Sequence, residues 1–302
     1  MTIIHSTSSA HIAAQRFAAA FRSGSADKLA ACFTDDGVLV HPMFGRVEGR
    51  DNIAAAESSL FGVFDQVDCE VVRVIDSGEW ATISCIISAR QCADIVLPDG
   101  SIVTNHFNHI SLPSCDVVRV DHTGLIIEAH RYQNPGTMFS ALMSGTDLPT
   151  CSTPAAGTAA TPSIAAPDAA ANIALVKAAY ESGDLHAIAD RYAIDATLVH
   201  PIAGILTGRH QIAEAESALT ACFSDLEFQI ERVIQEGWWA AAEMTGSATH
   251  TGPFPTANGP IPATGRRVVD HVVQVFRLAP DGRMAYAERS FDAGALLNQL
   301  TV

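Results

Sequence analysis

At 302 residues the chain is long enough for two domains that each bury a core, and its 48% of hydrophobic residues with a mean hydropathy of +0.19 mark it as globular. A formal charge of −15 argues against nucleic acid and anionic membrane surfaces as partners, because phosphate binding needs clustered Lys and Arg. No apolar run is long enough to cross a bilayer, Met1 to Ala10 lacks the blocks of a secretory signal, and the scattered cysteines form no C-x-x-C, so a cytoplasmic protein with free thiols is expected.

Apolar residues recur at helical spacing over 11–22, where Ser23-Gly24 stops the first helix, and a short second helix is expected over 27–33. Residues 37–40 read as a strand ending at His41-Pro42, since proline cannot continue a central ladder. Gly49-Arg50-Asp51 opens a third helix reaching about Phe64, with Ile53, Ala56, Leu60 and Phe64 on one face. Strands are expected over 69–75, 80–91, 102–112, 116–120 and 125–132, with turns at Asp76-Ser77-Gly78, Pro98-Asp99-Gly100 and His122-Thr123-Gly124. Helices ahead of a run of meandering strands predict an α+β fold with an antiparallel sheet. Residues 146–168, rich in Pro, Ala, Thr and Ser without periodicity, read as a flexible interdomain linker.

Beyond that linker the chain repeats itself. Displaced by 159 residues, 23 of the 54 positions from Asp36 to Ala89 are identical to those from Asp195 to Ala248 without a gap. Leu39-Val40-His41-Pro42 meets Leu198-Val199-His200-Pro201, and Ala56-Glu57-Ser58 meets Ala215-Glu216-Ser217. An ungapped match of this length is one folding unit present twice. The expected organisation is a first domain over 8–145, the linker, and a second domain over 169–302.

Strand alternation puts Ala81, Ile83, Cys85, Ile87, Ala89 and Gln91 on one face, and in the second copy Ala240, Ala242, Met244, Gly246, Ala248 and His250. Both faces are apolar until a last polar member, the pattern of a sheet curved over a ligand pocket with a polar group near its mouth. His250 is therefore a catalytic candidate. Gln91 and Met244 are candidates for substrate contact, with Trp80 and Trp239 opening the same strands. His41 and His200, each between an apolar strand and a proline, suit a turn lock and a catalytic group equally well. Asp270 lies between Val268-Val269 and Val272-Val273, so burial on both faces would raise its pKa into the range of a usable acid or base; an ion pair with Arg266, Arg267 or Arg289 is the alternative. A register shift from 159 to 162 sets Asn108-His109 opposite Asp270-His271 and adds Asn108 as a substrate contact and His109 as a catalytic candidate. Arg131 and Arg289 read as structural, Arg289 pairing with Glu288 or Asp292. Metal binding is not expected, because His106 and His109 would fall on opposite faces of a strand and no carboxylate joins His106 and Asn108. With no nucleotide-binding or serine-hydrolase motif, no cofactor is expected.

Four stretches of the second domain carry a resemblance: Thr207-Gly208-Arg209-His210-Gln211-Ile212, Thr249-His250-Thr251-Gly252-Pro253-Phe254, Pro262-Ala263-Thr264-Gly265-Arg266-Arg267-Val268, and the closing run from Arg277 to Leu300. The domain resembles the SnoaL-like polyketide and ester cyclases of the NTF2-like superfamily, and the repeat extends the likeness to the first domain. The resemblance implies two cone-shaped α+β barrels, each with three N-terminal helices on a curved antiparallel sheet, arranged as an internal pseudo-dimer with further homo-oligomerisation left open. It also implies a small hydrophobic substrate. In the cyclases an aspartate on the strand after the Thr-Gly-Arg run is the acid/base and the histidine of the Thr-His motif assists, roles that fall on Asp270 and His250. The first domain departs from this pattern at Gln91 and Asn108. The implied activity is cofactor-independent acid–base chemistry on a hydrophobic carbonyl or aromatic molecule, an aldol-type ring closure. A lyase, isomerase or dehydratase could share its enolate-like intermediate, and a non-catalytic binding protein is the alternative class. Epoxide opening would instead want two carboxylates bridged by an arginine around one water.

Overall fold

The computed structural model describes residues 8–96, 100–148, 164–256 and 259–301. The first seven residues, the expected turn at Pro98-Asp99, and most of the Pro/Ala/Thr-rich linker with Cys151 lie outside the described residues. The chain divides into two compact units, Met1–Thr153 and Pro154–Val302. Among the described residues no helix is long and apolar enough to cross a membrane.

The first unit opens with α1 (Ser9–Arg22), whose N-cap Ser8 accepts from the His11 N–H and whose buried face carries Ala13, Phe17 and Phe21. Helix α2 (Ala26–Ala30) is shorter than expected because Phe33 already begins the strand β1 (Phe33–His41). There follow β2 (Gly45–Glu48), α3 (Arg50–Phe61), β3 (Phe64–Ser77), β4 (Trp80–Gln91), the short pair β5 (Ile95–Val96) and β6 (Ile102–Val103), β7 (His109–Val120), β8 (Ile126–Tyr132) and α4 (Pro135–Ser144). Strand β7 fuses two expected strands, and residues 104–108 are loop, with Phe107 at φ +58°. The second unit repeats the order: α5 (Ala169–Ser182), α6 (Leu185–Ala189), β9 (Tyr192–His200), β10 (Gly204–Thr207), α7 (Arg209–Thr220), β11 (Phe223–Glu236), β12 (Trp239–His250), β13 (Arg267–Leu278), β14 (Met284–Ser290) and α8 (Ala293–Thr301). The closing helices α4 and α8 were not expected from the sequence pattern.

The main sheets run β2-β1-β8-β7-β4-β3 and β10-β9-β14-β13-β12-β11. All pairs are antiparallel except β1 with β8 and β14 with β9, so the expectation of purely antiparallel sheets is corrected to mixed ones. The cause is α3 (and α7), which carries the chain from one edge of the sheet to the other; the meander then returns with its last strand alongside the first, in the same direction. Strands β3 and β11 each carry two register shifts, and Gln66 and Asp225, 159 positions apart, take positive φ of 51° and 52° there. Such bulges bend a strand and deepen its twist, which curves the sheet around the helices. The concave faces are filled by Phe17, Phe21 and Ile53 in one unit and by Ile173, Val176 and Ile212 in the other. Each such side chain contributes about 1.5–3 kcal/mol by leaving water.

Two small motifs explain why the repeat keeps certain residues. Gly49 and Gly208 sit at φ +85° and +83° just before α3 and α7, a conformation a side chain would strain. The arginines that follow reach back across the fold: Arg50 Nε donates to the Phe33 carbonyl at 3.1 Å and Arg209 Nε to the Tyr192 carbonyl at 2.8 Å. The ends of the expected linker are also tied down. Asp147 accepts from the His109 N–H at 2.8 Å, and Asp168 caps α5 by accepting from the Ala170 N–H at 2.9 Å.

Candidate functional site

A cavity of about 150 Å³ opens between the helices and the concave sheet of the second unit. Phe223, Phe228, Met244, Val268, Val272 and Phe291 supply much of its apolar wall. On β13 the alternate residues Val268, Asp270, Val272 and Gln274 all line it, so Asp270 stands between two valines in that row. Across the ladder Asp270 faces Gly246 of β12, whose missing side chain leaves room for the Phe228 ring: a Cβ there would meet it at 3.1 Å. Beside Asp270 the opposite face of β13 is open at Val269 and His271 and buried from Val273 onward, so the expected burial on both faces is corrected to burial on one face at Asp270. No ion pair to Asp270 forms among the described residues. Burial pushes its pKa up to about 7, Asp292 adds to the rise, and the His271 N–H and the Arg289 charge only partly offset it.

A second polar group meets at the same cavity. Arg289 pairs with Glu216 of α7 at 2.9 Å, not with Glu288 or Asp292 as the sequence suggested. Its Nε donates to Gln274 at 3.1 Å, and its Nη2 lies 3.4 Å from the Tyr180 hydroxyl and 3.5 Å from that of Tyr192. Burial opposes the Glu216 charge, but Arg289 and His200 outweigh it and hold the carboxyl below the usual range. His200 lines the cavity too. Its Nδ1 accepts from the Ile202 and Ala203 N–H groups, both at 3.2 Å, so it does lock the turn and its ring proton sits on Nε2. Burial, with Arg289 nearby, pulls the His200 pKa down to about 4, leaving a neutral ring that can donate a proton in a hydrogen bond.

His250 is placed differently from its expected role. It is buried at the end of β12, is not among the residues lining the cavity, and its Nδ1 meets the Thr264 hydroxyl at 3.0 Å and the Thr264 N–H at 3.3 Å. The Thr-His and Thr-Gly-Arg stretches therefore bond to each other and close the loop 251–263, which seats Phe254 in the cavity wall. Gln91 performs the same closure in the first unit, donating to the carbonyls of Ala93, Val103 and Thr104. Trp239 packs edge-on against Tyr286 and Trp80 lies under Arg119; neither lines the cavity of its own unit. Asn108 and His109 sit where the chain enters β7, held by Asp147, and are likewise outside both cavities.

The first unit has its own cavity, of about 70 Å³, lined by His41, Glu57 and Arg131, the counterparts of His200, Glu216 and Arg289. The sheet register corrects the shift of 162. Ile110 pairs with Ala89 as Val268 pairs with Ala248, a shift of 158, so the residue matching Asp270 is Leu112 and the one matching Gly246 is Ile87. Both side chains line the first cavity, which is smaller and has no carboxyl at that place. Arg131 binds Glu57 at 2.7 Å and Asp116 at 3.0 Å, the carboxylate–arginine–carboxylate arrangement set out above for epoxide opening, but all three are buried and Asp116 does not line the cavity. Among the described residues no group of three His, Cys, Asp or Glu is placed to hold a metal ion.

Replacing Gly246 by valine is expected to push the Phe228 ring, which a Cβ at that place would meet at 3.1 Å, to cost about 1–3 kcal/mol of stability by overpacking, and to weaken ligand binding in the second cavity about tenfold or more. Thermal unfolding and a ligand titration on the same sample check both halves of that expectation.

A family model described as a SnoaL-like domain matches residues 14–129 and 174–287. Among solved structures, the chain is similar to TsrD from Streptomyces laurentii, at 25% identity and TM-score 0.38 over 44% of this chain and 93% of that one. IdmH from Streptomyces antibioticus is 23% identical, with TM-score 0.38, 45% of this chain and all of that chain covered. An LEH-like epoxide hydrolase of M. tuberculosis is 17% identical, with TM-score 0.35 over 44% of this chain and 88% of that one. No curated protein sequence matches.

Proposed function

The chain belongs to the SnoaL-like family, and on that premise we propose that its second domain is a cofactor-independent acid–base enzyme acting on a small hydrophobic carbonyl compound. The observation that carries the reading is Asp270, a carboxyl on the cavity wall between Val268 and Val272, without an ionic partner among the described residues and with a pKa pushed up to about 7. A base is most effective when its pKa lies near the working pH. The Asp270 carboxylate would take a proton from the carbon next to the substrate carbonyl, and the electron pair would pass to the carbonyl oxygen. His200 Nε2–H, neutral at this pH, and the Arg289 guanidinium are the donors in the same cavity for that developing enolate oxygen. In an aldol-type ring closure the enolate carbon then attacks a second carbonyl of the same molecule, and Asp270 returns its proton to the new alkoxide. The assisting role that the resemblance implies for His250 passes in this reading to His200, because His250 is tied to Thr264.

The pH dependence tests the assignment. As Asp270 must be ionised, kcat/KM is expected to rise about tenfold per pH unit below its pKa of about 7 and to level off above it. His200, with a pKa of about 4, adds no limb between pH 5 and 9. A profile flat from pH 5 to 9 would remove Asp270 from the base role.

A further inference from the structure

The first-domain cavity has lost the carboxyl position of its partner copy but not its polar end. His41, buried at 2% exposure, lines it; its Nδ1 accepts from the Met43 N–H at 3.1 Å, which places the ring proton on Nε2, and that buried Nε2 has no hydrogen-bond partner among the described residues. Burial and the nearby Arg131 hold the His41 pKa well down, so the ring is a neutral donor. Arg131 lines the same cavity, and its buried Nη2 is likewise without a hydrogen-bond partner among the described residues, while Nη1 and Nε are used by Glu57 and Asp116. An unmet buried donor is costly, about 1–3 kcal/mol, so two at one apolar cavity indicate an acceptor atom that completes them.

We propose that this cavity is a non-catalytic binding site for a small neutral carbonyl compound, whose oxygen accepts from His41 Nε2–H beside the Arg131 guanidinium. One oxygen with two lone pairs matches two donors. Glu57, Asp116 and Arg131 together carry a formal charge of −1, which disfavours an anion, and a cation would face Arg131 and a ring N–H. Water fits the donors less well. It would bring two protons of its own to a wall made largely of Phe61, Phe64, Ile110 and Leu112, where an apolar ligand body packs instead. Leu112 stands at the position of Asp270, and the carboxylate that does line the cavity, Glu57, is tied to Arg131, so the molecule is held and not converted. This site is independent of the second-domain reading.

The methionines provide separate reporters: Met43 and Met138 line this cavity and Met244 the other. In the full chain carrying 13C-methyl methionine, cyclopentanone is expected to shift the Met43 and Met138 signals saturably, with a midpoint of about 10 mM or lower. Cyclopentane should bind about tenfold more weakly, and acetate and cyclopentylammonium should give no saturable shift. His41→Leu should weaken cyclopentanone about tenfold while His41→Gln, which keeps a donor, retains it. The proposal is overturned if cyclopentanone leaves Met43 and Met138 unmoved, meaning that the void takes solvent only. Equal binding of cyclopentane or a preference for acetate overturns it too. The ligand series in the unaltered chain decides this even where His41→Leu does not fold.

Discussion

Asp270→Asn is expected to lower turnover of an enolisable carbonyl substrate by about 10²–10⁴-fold while ligand affinity changes only a few-fold, because asparagine keeps the shape and cannot take a proton. The same substitution should stabilise the second domain at alkaline pH. The folded pKa of Asp270, about 7, lies above its unfolded value, so the protonated form favours folding. That contribution is complete below the unfolded pKa and is lost as pH rises through about 7. At pH 8 the ionised carboxylate therefore costs stability that the amide does not, on the order of 1–4 kcal/mol. Chemical unfolding of both chains at pH 5 and pH 8 measures it: the gain of the variant at pH 5 should be roughly a third of its gain at pH 8. Equal stability at both values would mean that Asp270 is solvated or paired.

The second large effect belongs to the other domain. Arg131→Met should destabilise the first domain by about 3–5 kcal/mol or more, since it leaves Glu57 and Asp116 buried together without their cation. Arg289→Met should cost less. In the second domain a single carboxylate, Glu216, loses its partner, Gln274 stands in the place of Asp116, and the hydroxyls of Tyr180 and Tyr192 remain where the first domain has Phe21 and Phe33. Arg131 also lies over Phe17 and Phe21, at 5.4 and 5.5 Å, contacts that methionine only partly replaces. A triple replacement, Arg131→Met with Glu57→Leu and Asp116→Leu, should recover most of the loss, because an apolar set of similar volume avoids burying charge. Calorimetry of the full chain separates these outcomes, and equal losses for Arg131→Met and Arg289→Met would contradict the difference argued between the two clusters.

The fold was legible because the repeat is long and ungapped, and because Gly24-Ser25 and Gly183-Asp184 end one helix and cap the next in both copies: the glycines take φ of +60° and +69°, and Ser25 and Asp184 are the N-caps. Asp270 could be picked out because a carboxyl among valines conflicts with the strand pattern around it. What failed was alignment through the loop before the fourth long strand. Asn108-His109 and Asp270-His271 look alike, but ladder pairing sets register, and the loop differs by only one residue between copies, so the shift moves from 159 to 158 and not to 162. His250 was placed on the correct face of β12, yet at the strand end a side chain can turn to a neighbouring loop, and Thr264 is there to receive it. Glu57 and Glu216 were passed over because a glutamate within a helix normally marks the solvent side. The available signal was that both follow the inward Ile53 and Ile212 by four residues, one helical turn, while Arg131 and Arg289 also recur.

The central claim is that Asp270 removes a proton next to a carbonyl. Exchange of α-hydrogens for deuterium in D₂O, followed by proton NMR over a panel of polyketide-like and aromatic ketones, reads that step whether or not ring closure follows. The full chain is expected to accelerate exchange of at least one compound that binds beside Met244, with the rate rising through pH 7, and Asp270→Asn should return it to the buffer rate. Exchange that persists in Asp270→Asn, or tight binding at the second cavity with no exchange in either chain, would contradict the account and leave a binding protein in its place.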